Sequence, residues 1–94
     1  MRFEWDNAKA EKNRVSHGVS FEEAKRLFES GIETLEIYDY EHSEYEERFK
    51  SIGPIDRGIV LVVWTERQDD VIRIISARFA TKNEQSLYEE YVSM

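Results

Sequence analysis

The 94-residue sequence predicts one α+β domain in which an antiparallel sheet packs against a helical hairpin. Two observations predict this fold class. Apolar residues recur at helical spacing before Gly31, alternate as they do in strands after it, and return to helical spacing near the carboxyl end. The chain is 40% hydrophobic and 13% aromatic, which supplies a single core. The predicted element order over residues 1–94 is β-α-α-β-β-β-β-α.

The first two helices are predicted from their start and stop signals. Asp6 is a suitable N-cap for a helix over residues 7–17, and Gly18 can end it. Ser20 and Glu23 form a capping box, which starts a second helix. The apolar face of that helix comprises Phe21, Ala24, Leu27 and Phe28.

Alternation and β-branched side chains predict the strands. The six apolar residues 59–64 favour a central strand covered on both faces, and residues 66–70 are expected to form a polar turn. Residues 53–58, which include the one proline, are also typical of a turn. The four segments expected as strands after Gly31 are 34–38, 47–52, 59–65 and 71–79.

A second capping box, Thr81 with Glu84, predicts a last helix. Its apolar stripe is expected to pack on the core, although a partner could also cover it. The stripe consists of Leu87, Tyr88, Tyr91 and Val92.

Composition excludes several classes of protein. There is no cysteine, so disulfides, cysteine-bound zinc, iron–sulfur clusters and thiol catalysis are excluded. No cofactor motif occurs, and no apolar run resembles a signal peptide or a membrane span. We therefore expect a cytoplasmic domain without a cofactor.

Charge is unevenly distributed along the chain. The net charge of −7 argues against a general grip on nucleic-acid backbone. Residues 33–47 hold seven acidic side chains and no lysine or arginine, whereas residues 9–26 and 57–82 each hold five basic and three acidic ones. The two positive segments could meet on one surface and form the footprint of a partner, or they could simply be solvated.

Lys9, Asn13 and His17 lie four residues apart, so they line one face of the first helix. Together they could hold a phosphate, and the imidazole could transfer a proton near neutral pH. The alternative is that two of them are solvated and His17 helps to end the helix.

Arg73 and Arg78 interrupt an apolar strand, so each must emerge at an edge, pair with a carboxylate or line a site. Strict alternation places them on opposite faces unless a bulge intervenes, and one of them is expected to be structural. A Ser–His–Asp site at residues 39–43 carries little weight, because neighbours in a loop do not supply the geometry of a nucleophile and its base.

The sequence resembles the BrnT family, the toxin halves of type II toxin–antitoxin modules. The likeness covers nearly the whole chain in order and spacing. One departure is Ser16, where many members have lysine before the His-Gly pair. The segments that carry the likeness are Phe3–Asp6 with Lys9 and Asn13, His17–Ala24, His42–Ser43, Glu46–Arg48, Val62–Arg67, Ile72–Arg78, Ala80–Thr81, Glu84 and Tyr88.

This resemblance implies a RelE-like fold and metal-independent RNA cleavage that blocks translation, on RNA that is free or held by the ribosome. It also implies a BrnA-type ribbon-helix-helix antitoxin, through which alone the complex would reach operator DNA. The alternative function is a catalytically weak binding module that forms this complex and tunes operon repression. The implied catalytic residues are Arg67, Arg78, Arg48, His17 and Lys9, and the implied RNA contacts are Trp5, Asn13, Arg73 and Lys82, with Trp5 also a candidate for the core.

Overall fold

A computed structural model describes all of residues 1–94. The order of elements confirms the predicted β-α-α-β-β-β-β-α arrangement, with one 3₁₀ turn added after the second strand. The elements are β1 (Arg2–Glu4), α1 (Asn7–His17), α2 (Phe21–Glu29), β2 (Leu35–Tyr38), the 3₁₀ turn Tyr40–His42, β3 (Phe49–Ile55), β4 (Gly58–Arg67), β5 (Val71–Phe79) and α3 (Lys82–Val92).

The helix ends confirm the capping signals. The Asp6 carboxylate accepts the Lys9 N–H at 3.0 Å, and Gly18 ends α1 with φ 71°, a conformation that glycine adopts without strain. The predicted capping boxes at the starts of α2 and α3 are both complete, with side chain and backbone bonded in both directions.

The five strands form one sheet in the order β1-β5-β4-β3-β2. Strands β2 to β5 pair antiparallel through successive short connections, as predicted. β1 pairs with β5 in parallel, which is possible because most of the chain lies between these two strands. Its register covers only residues 71–73, so the rest of β5 has no strand on that side.

Two turn predictions were wrong in extent. The segment 53–55, expected in a turn, continues β3, so Pro54 lies within a strand opposite Ile59. Proline is tolerated there because β2 stops pairing at Ile52, and β3 has no second neighbour beyond it. The strand β4 likewise continues through Arg67, which leaves only residues 68–70 for the turn.

The two faces of the sheet are covered differently. We call the side that packs on α1 and α2 the hairpin face; its cluster of ten buried residues includes Phe21, Leu27 and Trp64. We call the opposite side the α3 face; its buried cluster contains only four residues, Ile52, Leu61, Ala80 and Tyr88. The central strand β4 contributes to both clusters, as its doubly apolar sequence predicts.

The helix α3 holds the sheet through Tyr88, which is buried and donates its hydroxyl to the Glu33 carbonyl at 2.7 Å. The predicted core packing of its whole stripe is wrong, because Leu87 and Val92 are 42% and 40% exposed. The helix therefore covers only part of the α3 face. No helix in the chain is both long and apolar enough to cross a membrane.

Candidate nucleic-acid interface

An uncovered part of the α3 face collects basic side chains. Strand register places Ile37, Lys50, Val63 and Ser76 side by side across four strands, next to the row that α3 covers. The following row on the same face includes Thr65 opposite Arg73, with Glu4 of β1 beside it. We call these two rows, together with Arg48 and Arg67 at their end, the open sheet face.

A bulge in β5 brings Arg73 and Arg78 to the same face. Val63 pairs with Ser76 but Trp64 pairs with Ile74, which leaves Ile75 as the extra residue. The alternation of side chains shifts by one at that point. Both arginines therefore point away from the hairpin face, the outcome that the sequence allowed only if a bulge intervened.

Arg78 has a structural partner. Its guanidinium donates to both oxygens of Glu84, at 2.7 and 2.9 Å, and to the Phe79 carbonyl. The hydrogen bonds from Arg78 lower the pKa of Glu84 to about 2 and raise the pKa of Arg78 itself. Since Glu84 also closes the capping box of α3, this pair ties the helix to β5.

Arg73 is also engaged, because its guanidinium donates to Glu4. The sequence left open which of the two arginines is structural. Both are ion-paired, and Arg78 has the more extensive contacts. The phosphate role expected of Arg78 stays a prediction.

Arg48 and Arg67 keep their donors available. Each lies 3.7 Å from one oxygen of Glu46, which is an ion-pair contact but too long for a hydrogen bond. The Nε atom of Arg48 is buried without any partner. These two predicted catalytic arginines are therefore close together, joined by one carboxylate, with most of their hydrogen-bonding capacity unused.

Lys50 is a cation that the sequence prediction missed. It lies in the first row of the open sheet face, between Ile37 and Val63, and is half-buried. No carboxylate lies within ion-pair distance of its ammonium group. The signal for it was the register, because a lysine one residue after Phe49 must face away from the hairpin core.

Beyond Arg67 the sheet ends in an open depression of about 520 Å³. Tyr45 is exposed there, whereas Phe49 is half-buried and stacks on the buried Trp64 with ring centroids 4.7 Å apart. Its rim is acidic. Part of the acidic segment 33–47 therefore lies next to Arg67. The lining residues are Glu36, Tyr45, Glu46, Glu47, Phe49, Trp64, Thr65, Glu66 and Arg67.

The predicted stripe on α1 lies on the other side of the molecule. Lys9 and His17 line a shallow depression of about 210 Å³ with Lys12, Ser16 and Ile75. The side chains of Lys9 and His17 are exposed and have no acidic partner. They do not converge with Arg67 and Arg78, which project from the opposite face of the sheet.

Asn13, predicted to contact RNA, is buried and has a structural role. Its amide donates to the carbonyls of Val19 and Ala77, at 2.9 and 2.7 Å, and accepts the Ala77 N–H at 3.1 Å. The side chain thus pairs with β5 along the edge that β1 leaves free. Its position on α1 was correct, but its donors are used within the fold.

Two further predicted RNA contacts lie outside the open sheet face. Trp5 is half-buried and packs edge-on against Phe21, with ring centroids 6.0 Å apart, so it belongs to the margin of the hairpin core. Lys82 is exposed in the first turn of α3, close in sequence to the Arg78–Glu84 pair.

Comparison with known proteins decides the family. Residues 5–84 match the family described as "Ribonuclease toxin, BrnT, of type II toxin-antitoxin system". This match covers most of the chain. The chain belongs to the BrnT family.

Structural comparison agrees with this assignment. The 1.1 Å crystal structure of the Brucella abortus ribonuclease toxin BrnT superposes with a TM-score of 0.65 at 22% identity, covering 87% of this chain and 99% of that one. At this identity the likeness shows a shared fold. No curated protein sequence gives a significant match.

The predicted site residues of this BrnT-family chain lie on two different sides of the sheet. The open sheet face brings together Arg48, Arg67 and Arg73, with Arg78 at its border. Lys50 and Glu46, which were not predicted from the sequence, also lie at this face. Lys9, His17, Asn13 and Trp5 lie on the hairpin side, so the nine predicted residues do not form one site.

Proposed function

We propose that this chain is an endoribonuclease that binds RNA across the open sheet face. The observation that carries the proposal is the presence there of three cations, Arg48, Lys50 and Arg67, none of which donates a side-chain hydrogen bond to a carboxylate. Cations that make no hydrogen bond to a carboxylate keep their donors free for charge-assisted bonds to phosphate. In the neighbouring depression, the exposed ring of Tyr45 offers a surface on which a base can stack.

The proposed reaction is attack of a ribose 2′-oxygen on the adjacent phosphorus. Arg48, Lys50 and Arg67 would stabilise the charge that develops on the phosphoryl oxygens. Glu46 lies between the two arginines and can accept the 2′-hydroxyl proton, since an ionised carboxylate only accepts. These groups supply charge stabilisation and a base from the chain itself, which supports the proposal of a metal-independent reaction.

The proposed consequence is a block of translation through RNA cleavage. With a net charge of −7, the chain as a whole repels RNA over long range. Placement of the RNA by the ribosome would compensate for this repulsion. Ribosome-bound messages are therefore the substrate class that we propose.

The proposed partner is a BrnA-type ribbon-helix-helix antitoxin, which would also connect the complex to operator DNA. To neutralise the chain it must cover the open sheet face. Copurification with the product of the neighbouring gene, followed by amide-exchange mapping, tests this proposal. We expect protection of residues 48–50 and 63–67, and protection confined to 33–44 would contradict it.

A second candidate function is a binding module with little activity. It is favoured by one observation: Arg73 and Arg78 are already paired with Glu4 and Glu84, so two of the cations on this face are partly neutralised. In that case the face serves mainly to bind the antitoxin.

Two incubations of the purified chain with end-labelled RNA, one with free RNA in excess chelator and one with RNA bound to ribosomes, separate the two functions. An endoribonuclease of the proposed kind leaves 2′,3′-cyclic phosphate and 5′-hydroxyl ends, and the double variant Arg48→Ala/Arg67→Ala cleaves about 10²–10³-fold more slowly while melting at a similar temperature. A binding module forms the antitoxin complex but leaves RNA intact in the wild type and the variant alike.

A further inference from the structure

The segment between β2 and β3 extends the sheet by one more pair of residues. The Asp39 N–H donates to the Arg48 carbonyl at 2.8 Å. The Ser43 hydroxyl accepts the Arg48 N–H at 3.0 Å and donates to the Asp39 carbonyl at 2.5 Å, so it replaces the second bond of the ladder. Asp39 and Arg48 are thereby held opposite each other, directly after the Tyr38–Phe49 pair.

This pairing sets the direction of the Asp39 side chain. Tyr38 and Phe49 point to the hairpin face, where their rings are in contact. Because side chains alternate, the next pair points to the other side of the sheet. Asp39 therefore lies at the β2 end of the open sheet face, one strand spacing of about 4.8 Å from Arg48.

The Asp39 carboxylate fixes the orientation of His42. Its side chain is only 4% exposed, and both of its oxygens lie near His42 Nδ1, at 3.0 and 3.2 Å. No other side chain bonds to this carboxylate. A buried carboxylate that holds Nδ1 leaves Nε2 free, and the His42 side chain is 59% exposed.

His42 differs from the other histidine of the chain in its position. The chain has two histidines, and His17 lies on α1, on the opposite side of the sheet. Only His42 therefore combines an imidazole, a side chain that can transfer a proton, with a contact to Asp39, the residue that pairs with Arg48. From the sequence alone this residue carries little weight, because Asp39 and His42 are near neighbours in a loop. The structure supplies the contact between them.

We propose that His42 is the proton donor of the RNA cleavage and that Asp39 is its positioning residue; this inference rests on the function proposed above. The 2′-oxygen forms a bond to phosphorus as its proton passes to Glu46. The bond from phosphorus to the 5′-oxygen breaks, and that oxygen takes the proton from His42 Nε2. The products are a 2′,3′-cyclic phosphate and a 5′-hydroxyl, and no co-reactant is consumed.

A leaving group that needs no proton tests this role. We would compare an RNA dinucleotide with its analogue in which sulfur replaces the bridging 5′-oxygen, because a thiolate leaves without protonation. His42→Asn keeps a side-chain N–H that can reach Asp39 but cannot transfer a proton. The matched control is Glu41→Gln, an exposed neighbour in the same 3₁₀ turn.

We expect His42→Asn to lower kcat on the oxygen substrate by about 10²-fold or more, within the range of general acid catalysis. On the sulfur substrate it should remain within a few-fold of the wild type. Asp39→Asn should lower kcat on the oxygen substrate less than His42→Asn does, and its kcat on the sulfur substrate should also stay near that of the wild type. Glu41→Gln should match the wild type on both substrates.

Other outcomes overturn the proposal in distinguishable ways. Equal losses of His42→Asn on both substrates, or a lowered melting temperature that accounts for them, assign the residue a structural role. No loss on the oxygen substrate removes it from the reaction. If the wild type cleaves neither substrate in the presence of ribosomes or without them, the endoribonuclease function itself fails, and the proton donor with it.

Discussion

The two faces of the sheet differ in how completely they are covered. On the hairpin face, α1 and α2 bury ten residues, and tilted or edge-on aromatic pairs such as Phe28–Trp64 fill the space between helices and strands. On the α3 face, a single helix buries four residues and contacts mainly β2 and β3. One helix cannot cover five strands, so part of that face stays open.

The difference separates stability from function in this chain. The buried polar side chain of Asn13 on the hairpin side is used within the fold, as its three hydrogen bonds show. On the open sheet face, Arg48, Lys50 and Arg67 are held by the strands and by the segment 39–48 but keep free donors. These cations of the chain therefore lie where packing is incomplete.

The largest effect is expected on the α3 face, where the buried Tyr88 can be compared with its more exposed neighbour Leu87. Tyr88→Ala should lower the free energy of unfolding by about 4 kcal/mol, as aromatic truncations in cores do. Leu87→Ala should change it by less than about 0.5 kcal/mol, because Leu87 is largely exposed. Urea denaturation of both variants measures this. Similar costs for the two would mean that the whole stripe of α3 is core.

On the hairpin side, Asn13→Ala should lower the free energy of unfolding by about 3 kcal/mol, because it leaves buried carbonyl and N–H groups of Val19 and Ala77 without partners. Asn7→Ala is the matched control, since Asn7 is exposed in the same helix. If Asn13→Ala were as mild as its control but weakened RNA cleavage, Asn13 would have the binding role that the sequence suggested.

A smaller effect is expected from the pair that joins α3 to β5. Glu84→Gln should cost about 1 kcal/mol at neutral pH, since the pair is partly exposed. The pKa of Glu84 is lowered from 4.5 to about 2 by Arg78, so the pair stabilises the fold above about pH 4.5 and ceases to do so as the pH falls through about 2. Thermal unfolding across this range should show the wild type approaching the variant as the pH decreases. A constant difference between them would contradict this pairing.

Much of the fold could be predicted because its signals are local. Caps such as Asp6, Ser20 and Thr81 define helix ends through contacts within a few residues. Alternation likewise defines the strands. The position of Pro54 in β3 could not be predicted, because it depends on where the neighbouring strand β2 stops.

The site was predicted less well because it depends on register. The bulge at Ile75 decides which face Arg78 occupies, and no local pattern marks that bulge. Lys50 and Glu46 join the site through pairing with distant strands or through loop geometry. The pairing of Asp39 with Arg48 is completed by the Ser43 hydroxyl, which spacing alone does not reveal.

The most direct test of the proposed RNA-binding face compares two lysines on opposite sides of the sheet. Lys50 and Lys12 both lack an acidic partner, but Lys50 lies on the open sheet face and Lys12 on α1. Cleavage of one RNA by Lys50→Ala and Lys12→Ala, each confirmed to be folded, should show a loss of about 10²-fold for the first and none for the second. The opposite result, with Lys12→Ala impaired and Lys50→Ala fully active, would move the RNA site to the hairpin side.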